Sequence, residues 1–408
     1  MTQPQTLRES VHHYTTGLDS EVSTAVREAA ARVPAFAARL SEAGIDPRDV
    51  AGVGDLAALP VMTKDDLLER QRREPPFGGF LAPDVRPRRL FQSPGPIYEP
   101  QLPGTDPWRW GEALQELGIG DGDTVLNCFG YHLSPAGAMF EEGAASVGAT
   151  VVPGGVGNLD LQARLAADLG PTAYTGLPSY LKALIDRFEE AGLDPAAWQI
   201  QRALVTAEPL PDSLRAVLAA RVPDVRMAYG TAETGLLGYE TAPNSGLKIP
   251  SGVLVQICDL STGRPVQNED TGQIVVTLLR PDYPMVRFGT GDLSAWQAGP
   301  DGAPRLAGVL GRVGDAVKVR GMFLHPRQAE AALAGVPGLS ASRFVIDRVE
   351  HRDVLRCEIV PESGANADCL AAEVRDRVRT ALRFESEVAV VPAVPEDAQP
   401  IEDVRDWS

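Results

Sequence analysis

The sequence predicts an α/β chain in two unequal parts, on three observations. Between about residues 108 and 231, helix-like and strand-like segments alternate, with Gly or Pro at the strand ends. After about residue 245 the pattern turns to strands that read as antiparallel. From residue 311 a last stretch, of roughly 95 residues, has the size and the element mix of a separate small domain. The predicted fold is a large N-terminal domain, 1–310, with mixed, mostly parallel sheets covered by helices plus a small β-rich part, followed by a small α+β C-terminal domain, 311–408. A chain of 408 residues is also too long for one ordinary core.

The elements follow in order. Apolar residues recur at helical spacing through EVSTAVREAAARVPAFAARLSEAG, with Pro34 as an interruption. In LPVMTKDDLLERQ, Thr63 stands before Lys64, Asp65 and Asp66 and an apolar run. A side-chain oxygen there can satisfy free N–H groups of a first helical turn. WRWGEALQELGI, AGAMFEEGAASVG, LQARLAADLG, SYLKALIDRFEEAG and SLRAVLAARV read as helices. DTVLNCFG, ATVVPGG, TAYTGLP, QRALVTAEP and RMAYGTAE between them read as strands, which implies a parallel sheet covered by helices. Ligands of such sheets bind at the carboxyl ends of the strands. VLVQICD and QIVVTLL then read as antiparallel strands. The final part reads as a strand pair at VKVRG, a helix at PRQAEAALAG, a strand hairpin, a helix at AAEVRDRVRTAL and a strand at VAVVPAV.

Composition narrows the function classes. Hydrophobic residues at 44% and charged residues at 23% indicate a folded rather than a disordered chain. A formal net charge of −17 disfavours a phosphate-backbone partner, so no nucleic acid is expected. ATP and CoA remain open, because local donors hold a small anion. No apolar run nears the ~20 residues of a membrane helix, and MTQPQTLRESVHHY lacks a signal pattern, so a cytoplasmic protein away from membranes is expected. Cys128, Cys258, Cys357 and Cys369 are scattered and read as reduced structural thiols. Cys128 with His132, and His325 with His351, have no paired-ligand spacing, so structural zinc is not expected.

The chemistry-bearing segments come late in the sheet. Tyr229-Gly230-Thr231-Ala232-Glu233-Thr234-Gly235 directly follows a strand. Its Gly turn lets backbone approach a ligand, Tyr229 offers a flat face to a purine, and Glu233 offers a hard oxygen to Mg²⁺. Taken alone it also reads as an ordinary turn with a surface Glu. Downstream, YPMVRFGTGDL ends in Thr290-Gly291-Asp292, and Asp292 could accept both hydroxyls of a ribose. GRVGDAVKVRG brings Arg312, which could reach ribose or phosphate or stand as a linker charge.

The ordered series YGTAETG, YPMVRFGTGDL, GRVGDAVKVRG and FLHPRQAEAAL resembles the adenylate-forming acyl/aryl-CoA ligases. LPVMTKDDL, VLNCFGYHLSPAG, ATVVPGGVGN, TAYTGLPSYLKAL and VTAEPLPDSLR are similar to phenylacetate-CoA ligases in particular. The likeness runs from about residue 25 onward. It implies a large domain that binds ATP and an aryl carboxylate, and a small mobile domain that rotates between two half-reactions. ATP and the carboxylate give an acyl-adenylate, and the CoA thiol then displaces AMP. The resemblance implies that Ala207, Glu208, Pro209, Tyr229, Gly230 and Thr231 frame adenine. Asp292 would bind ribose with Arg312 nearby, and Glu233 would hold Mg²⁺. Phe129, Tyr131, Ala136, Met139, Gly154 and Gly155 would line the acid pocket, although Phe129 and Met139 taken singly also read as core.

Three departures accompany the likeness. Where the family has a hydroxyl- and Gly-rich phosphate loop ending in Lys, this chain reads Phe91-Gln92-Ser93-Pro94-Gly95-Pro96-Ile97-Tyr98-Glu99-Pro100. Ser93 and Gly95 survive as phosphate contacts, two prolines remove donors, and Glu99 stands about where a cation is expected. The segment Pro395–Ser408 holds no Lys at the place of the family's catalytic Lys, and its one cation is Arg405. Gly314 replaces the usual acidic hinge residue. Two readings therefore stand side by side: an ATP- and CoA-dependent ligase of a small acid, and a homologue that binds nucleotide or acyl ligand without full turnover. The acid itself and the oligomeric state, a homodimer being the common default, stay open.

Overall fold

Capping chemistry sets the first helices. The computed structural model describes the chain apart from residues 1–5, 94–96, 315–316, 320–321, 325, 350–351, 383–384, 396–397 and 406–408. Thr6 and Glu9 close a reciprocal capping box that starts α1 (Leu7–Gly17), a helix with no sequence-based forecast. α2 (Asp19–Arg32) ends at extended Val33, and Pro34 becomes the first residue of α3 (Pro34–Glu42). The proline thus divides the predicted helix into two, because a first-turn position has no N–H to lose. α4 (Lys64–Arg73) starts at Thr63, whose hydroxyl accepts from Asp66 N while Asp66 caps in return. Buried Arg39 on α3 donates to Val286 O at 2.5 Å and Pro60 O at 2.6 Å, pinning these helices to later chain.

After a short hairpin, β1 (Leu90–Gln92) with β2 (Tyr98–Pro100), comes α5 (Trp110–Glu116) and then the predicted alternation. Its strands are β3 (Thr124–Asn127), β4 (Thr150–Pro153), β5 (Ala173–Gly176), β6 (Arg202–Val205) and β7 (Asp224–Thr231). Its helices are α6 (Ala136–Ser146), α7 (Leu159–Leu169), α8 (Pro178–Glu190) and α9 (Asp212–Ala219). All five strands are parallel in the order β4-β3-β5-β6-β7. The chain steps from β3 out to β4, then returns past β3 to β5. With right-handed crossovers, α6 covers one face and α7 to α9 the other. Two separate cores result. One joins α5 and α6 through Trp110, Leu114 and Phe140; the other joins α7, α8 and α9 through Ala163, Leu181, Phe188 and Leu218.

The sheet continues antiparallel through β8 (Gly235–Glu240) and β9 (Leu247–Lys248). Next along the chain come β10 (Val253–Cys258) and β11 (Gly272–Leu278), antiparallel as forecast, and β12 (Phe288–Ser294), a strand where the sequence read a Gly-containing turn. β13 (Trp296–Ala298) and β14 (Pro304–Leu306) complete the nine-stranded sheet beside β9. The mixed sheet covered by helices is the predicted α/β fold class, although its parallel part, β4-β3-β5-β6-β7, is matched by an antiparallel extension of equal pairing.

The chain separates into two compact units, Met1–Val309 and Leu310–Ser408. The second opens with β15 (Gly311–Arg312), the pair β16 (Val317–Val319) and β17 (Met322–Leu324), and α10 (Pro326–Leu333). β18 (Leu339–Val349) and β19 (Arg352–Pro361) form its long hairpin, followed by α11 (Ala367–Arg377) and β20 (Glu387–Val390). β21 (Ile401–Asp403), absent from the sequence reading, adds in parallel to β18. Phe344, Ile346, Leu355, Ile359 and Val374 fill the core of this unit.

Phe188 is 1% exposed and meets Trp198 edge-to-face at 5.1 Å between ring centres. Phe188→Ala should lower the unfolding free energy by about 3–5 kcal/mol, read by urea denaturation.

Candidate active site

The topological switch between β3 and β5 is held by one buried amide. Asn127, at the end of β3, donates to Tyr131 Oη and Gly137 O, each at 2.8 Å. Its carbonyl accepts from Phe129 N and Thr175 Oγ1, both at 3.2 Å. Its backbone carbonyl accepts from Gly155 N at 3.0 Å. Four segments thus meet there: the end of β3, the start of α6, the loop after β4, and β5. Tyr131 and Ala136 are half-buried at this point, and the phenol of Tyr131 is raised above its usual range, first by burial. Gln162 of α7 donates to Gly154 O and Gly155 O at 2.9 Å and fixes the loop after β4. Gly155 has φ +66°, a left-handed conformation. Phe129 and Met139 sit deeper, at 6% and 3% exposure, in the core with Phe140; the rings of Phe129 and Phe140 stack at 4.4 Å. Their packing role is therefore visible directly.

Along the same edge, β6 ends in Thr206 and the turn Ala207-Glu208-Pro209. Ala207 holds φ +69° without being a glycine, a strain of the kind that gathers at functional loops. Glu208 Oε2 accepts from Ser179 Oγ at 2.5 Å at the start of α8, so this residue also caps a helix.

β7 leads into the segment Thr231–Gly235. Tyr229 Oη donates to Asp292 Oδ2 at 2.8 Å, joining β7 to β12. Burial first, then the Asp292 carboxylate, holds the Tyr229 phenol protonated, far above its ordinary range. The sequence treated these two residues as separate ligand contacts, and the structure places them in contact. The Thr231 and Thr234 hydroxyls lie 2.9 Å apart across the turn. A Cβ on Gly230 would stand 2.5 Å from Gly235 O, so that position excludes any side chain. Arg109, at the start of α5, donates to Thr234 O and Leu236 O and locks the segment from behind.

Glu233 is 7% exposed. Its Oε1 pairs with Lys64 Nζ at 2.8 Å, while its Oε2 is buried without a hydrogen-bond partner among the described residues. An orphaned carboxylate oxygen of this kind fits a hard divalent cation. The Lys64 pairing was not read from sequence, where Lys64 figured only as a first-turn residue. The pair spans 169 positions of chain (233 − 64), so no local pattern signals it.

The altered loop is the hairpin of β1 and β2. Three of its N–H groups are committed: Gln92 N to Leu133 O at 2.9 Å, Ser93 N to Ile97 O at 3.0 Å, and Tyr98 N to Gln71 Oε1 at 2.8 Å. Gly95 lies outside the described residues, as do His325 and His351. Ser93 is buried. Glu99 is 2% exposed, and neither of its oxygens makes a well-formed hydrogen bond among the described residues. Burial pushes its carboxyl up to about 8; the Ser93 hydroxyl alongside opposes this, Glu233 reinforces it and Lys64 opposes it. Glu99 and Glu233 face one small cavity with Trp108, Arg280 and Tyr283.

Arg312 lies at the start of the second unit and is exposed. Gly314 has φ +106°, so glycine suits the conformation where a side chain would be strained. Arg405 pairs with Asp403 at 2.7 Å beside β21.

The comparisons agree with this arrangement. Residues 109–277 match the family model described as AMP-binding enzyme. The chain is 29% identical to phenylacetate-coenzyme A ligase of Aromatoleum evansii over 392 residues, 90% of this chain and 87% of that protein. It is 29% identical to phenylacetate-coenzyme A ligase of Thermus thermophilus, covering 78% of this chain and 75% of that one. Its fold matches an open conformation of 2-hydroxyisobutyryl-CoA ligase in complex with 2-HIB-AMP and CoA, with TM-score 0.83, 23% identity, and coverage of 97% and 92%.

The Glu99 carboxyl has a folded value near 8 against an ordinary 4.5. Between those values the folded chain keeps a proton that the unfolded chain has released. Stability from this group is therefore full below the ordinary value and falls as pH rises through about 8. Glu99→Gln should flatten the decline between pH 5 and 8.5, a difference on the order of a few kcal/mol, measured by urea unfolding at each pH.

Alongside the strand-end loops and the Tyr229–Asp292 contact, the chain matches the AMP-binding enzyme model over residues 109–277 and is similar to phenylacetate-CoA ligases over most of its length.

Proposed function

We propose that the chain activates a small aryl or acyl carboxylic acid with ATP, through an acyl-adenylate, and transfers the acyl group to CoA. The observation that carries this is the gathering of the strand-end loops of β3, β5, β6 and β7 around Asn127, Ala207 and the Tyr229–Asp292 contact. The likeness to phenylacetate-CoA ligases over nine-tenths of the chain supports it.

In this reading the turn Ala207–Pro209 and the strand end Tyr229–Thr231 frame adenine. Asp292, already oriented by Tyr229, accepts from the ribose hydroxyls, with Arg312 as the further cation. Tyr131, Ala136, Gly154 and Gly155 border the acid, and Phe129 and Met139 shape that pocket from beneath. Glu233 would hold Mg²⁺, which when bound neutralises phosphate charge as the α-phosphate is attacked. Carboxylate attack expels pyrophosphate, and thiol attack on the acyl carbon then expels AMP. Among the described residues no helix is long and apolar enough to cross a membrane, and the cysteines are all unbridged; a cytoplasmic setting suits both.

A second reading, ligand binding with reduced turnover, is favoured by the β1–β2 hairpin. The N–H groups of Gln92, Ser93 and Tyr98 are already bonded within the fold, and Glu99 puts a buried acid where phosphate would lie.

Acid-dependent ATP–pyrophosphate exchange, run over arylacetic, benzoic and short aliphatic acids and followed by a CoA-thioester assay, separates the two. The ligase reading expects exchange with at least one acid and a loss of about 10²-fold or more in Glu233→Gln. Calorimetric binding of AMP without exchange supports the second reading. Binding of neither AMP nor ATP overturns both.

A further inference from the structure

We propose that Glu99 and Glu233 together form a two-carboxylate site for a divalent cation, filled before nucleotide arrives, and that this ion supplies the positive charge the β1–β2 hairpin lacks. The inference rests on the reading of this site as a nucleotide site and adds Glu99 to it.

Glu99 is 98% buried (2% exposed), and both its oxygens are without a hydrogen-bond partner among the described residues. Glu233 is also buried, with Oε2 unpartnered. Both line one cavity of about 20 Å³, which is room for a single small ion or water. Two buried carboxyl groups that share a cavity cannot both stay charged alone; a proton relieves the pair in the ion-free chain, and a divalent cation would take the proton's place. Lys64 answers only one oxygen, Glu233 Oε1 at 2.8 Å, and leaves the other three without a partner. Arg280 also borders the cavity but pairs with Asp282 at 2.5 Å, and Tyr283 is buried there as a neutral phenol. Mg²⁺ and Mn²⁺ accept a site of one or two carboxylates completed by water and then by phosphate oxygens. Glu99 would then attract phosphate through its ion, where alone it would repel it.

The test is titration of the nucleotide-free full chain with MnCl₂, followed by electron paramagnetic resonance of free Mn²⁺. Wild type should bind one Mn²⁺ at sub-millimolar concentration. Glu99→Gln should weaken this by at least about tenfold. Lys64→Met, which removes the competing ammonium, should tighten it, an opposite shift that no general loss of folding produces. Equal affinity in wild type and Glu99→Gln, or no Mn²⁺ bound to wild type, overturns the site. Exchange activity in the same preparations keeps the two ideas apart. Exchange without nucleotide-free Mn²⁺ binding removes the site and leaves the function. Glu99-dependent Mn²⁺ binding without exchange supports the site and counts against the function.

Discussion

The Asn127 side chain is the constraint on which the rest of the site depends. Both its donor N–H groups and its acceptor carbonyl are used, by Tyr131, Gly137, Phe129 and Thr175. A buried amide with all its partners is rigid, and with any partner removed it is costly. Through it the start of α6, the turn at Gly155 and the end of β5 take fixed positions about one strand. The loops after β3 and β4 inherit their geometry from that amide.

A second layer of constraint lies along β7. Arg109 fastens Thr234 and Leu236 from one side, and Tyr229 reaches Asp292 on the other. The segment between them is left little freedom, and Gly230 and Gly235 are packed against backbone where a Cβ would collide. Glu233 projects from this stiff frame into a buried place. Its ionic surroundings, Lys64 and Glu99, come from two elements far earlier in the chain.

The alternation from α5 to β7 was legible because each helix shows a 3.6-residue apolar rhythm and each strand ends in Gly, Pro or a small residue. The segments at Phe129–Tyr131, Gly154–Gly155, Ala207–Pro209 and Tyr229–Thr231 lie at the carboxyl ends of parallel strands, whereas Asp292 stands on β12 and Arg312 in the second unit. Less legible were elements whose reason is tertiary. α1 is mostly polar and gains its place from contacts such as Tyr14 with Trp296. β21 is three residues long and exists through its pairing with β18. The acidic substitution at Glu99 was visible as a letter in the chain. That it is buried and shares a cavity with Glu233 was not, because burial is decided by β1, α4 and the segment after β11 at once.

The return of the chain past β3 has a consequence for how such a protein changes over time. Since α5 and α6 lie on one face while α7, α8 and α9 occupy the other, the two cores are built from different side chains. Substitutions far apart and without common partners act nearly independently. The wall anchored at Tyr131 and Ala136 can therefore be remodelled through α6 while Glu208, held by α8, stays in place. The fold thus lets the wall on one face of the sheet diverge while the loop on the other face is inherited unchanged.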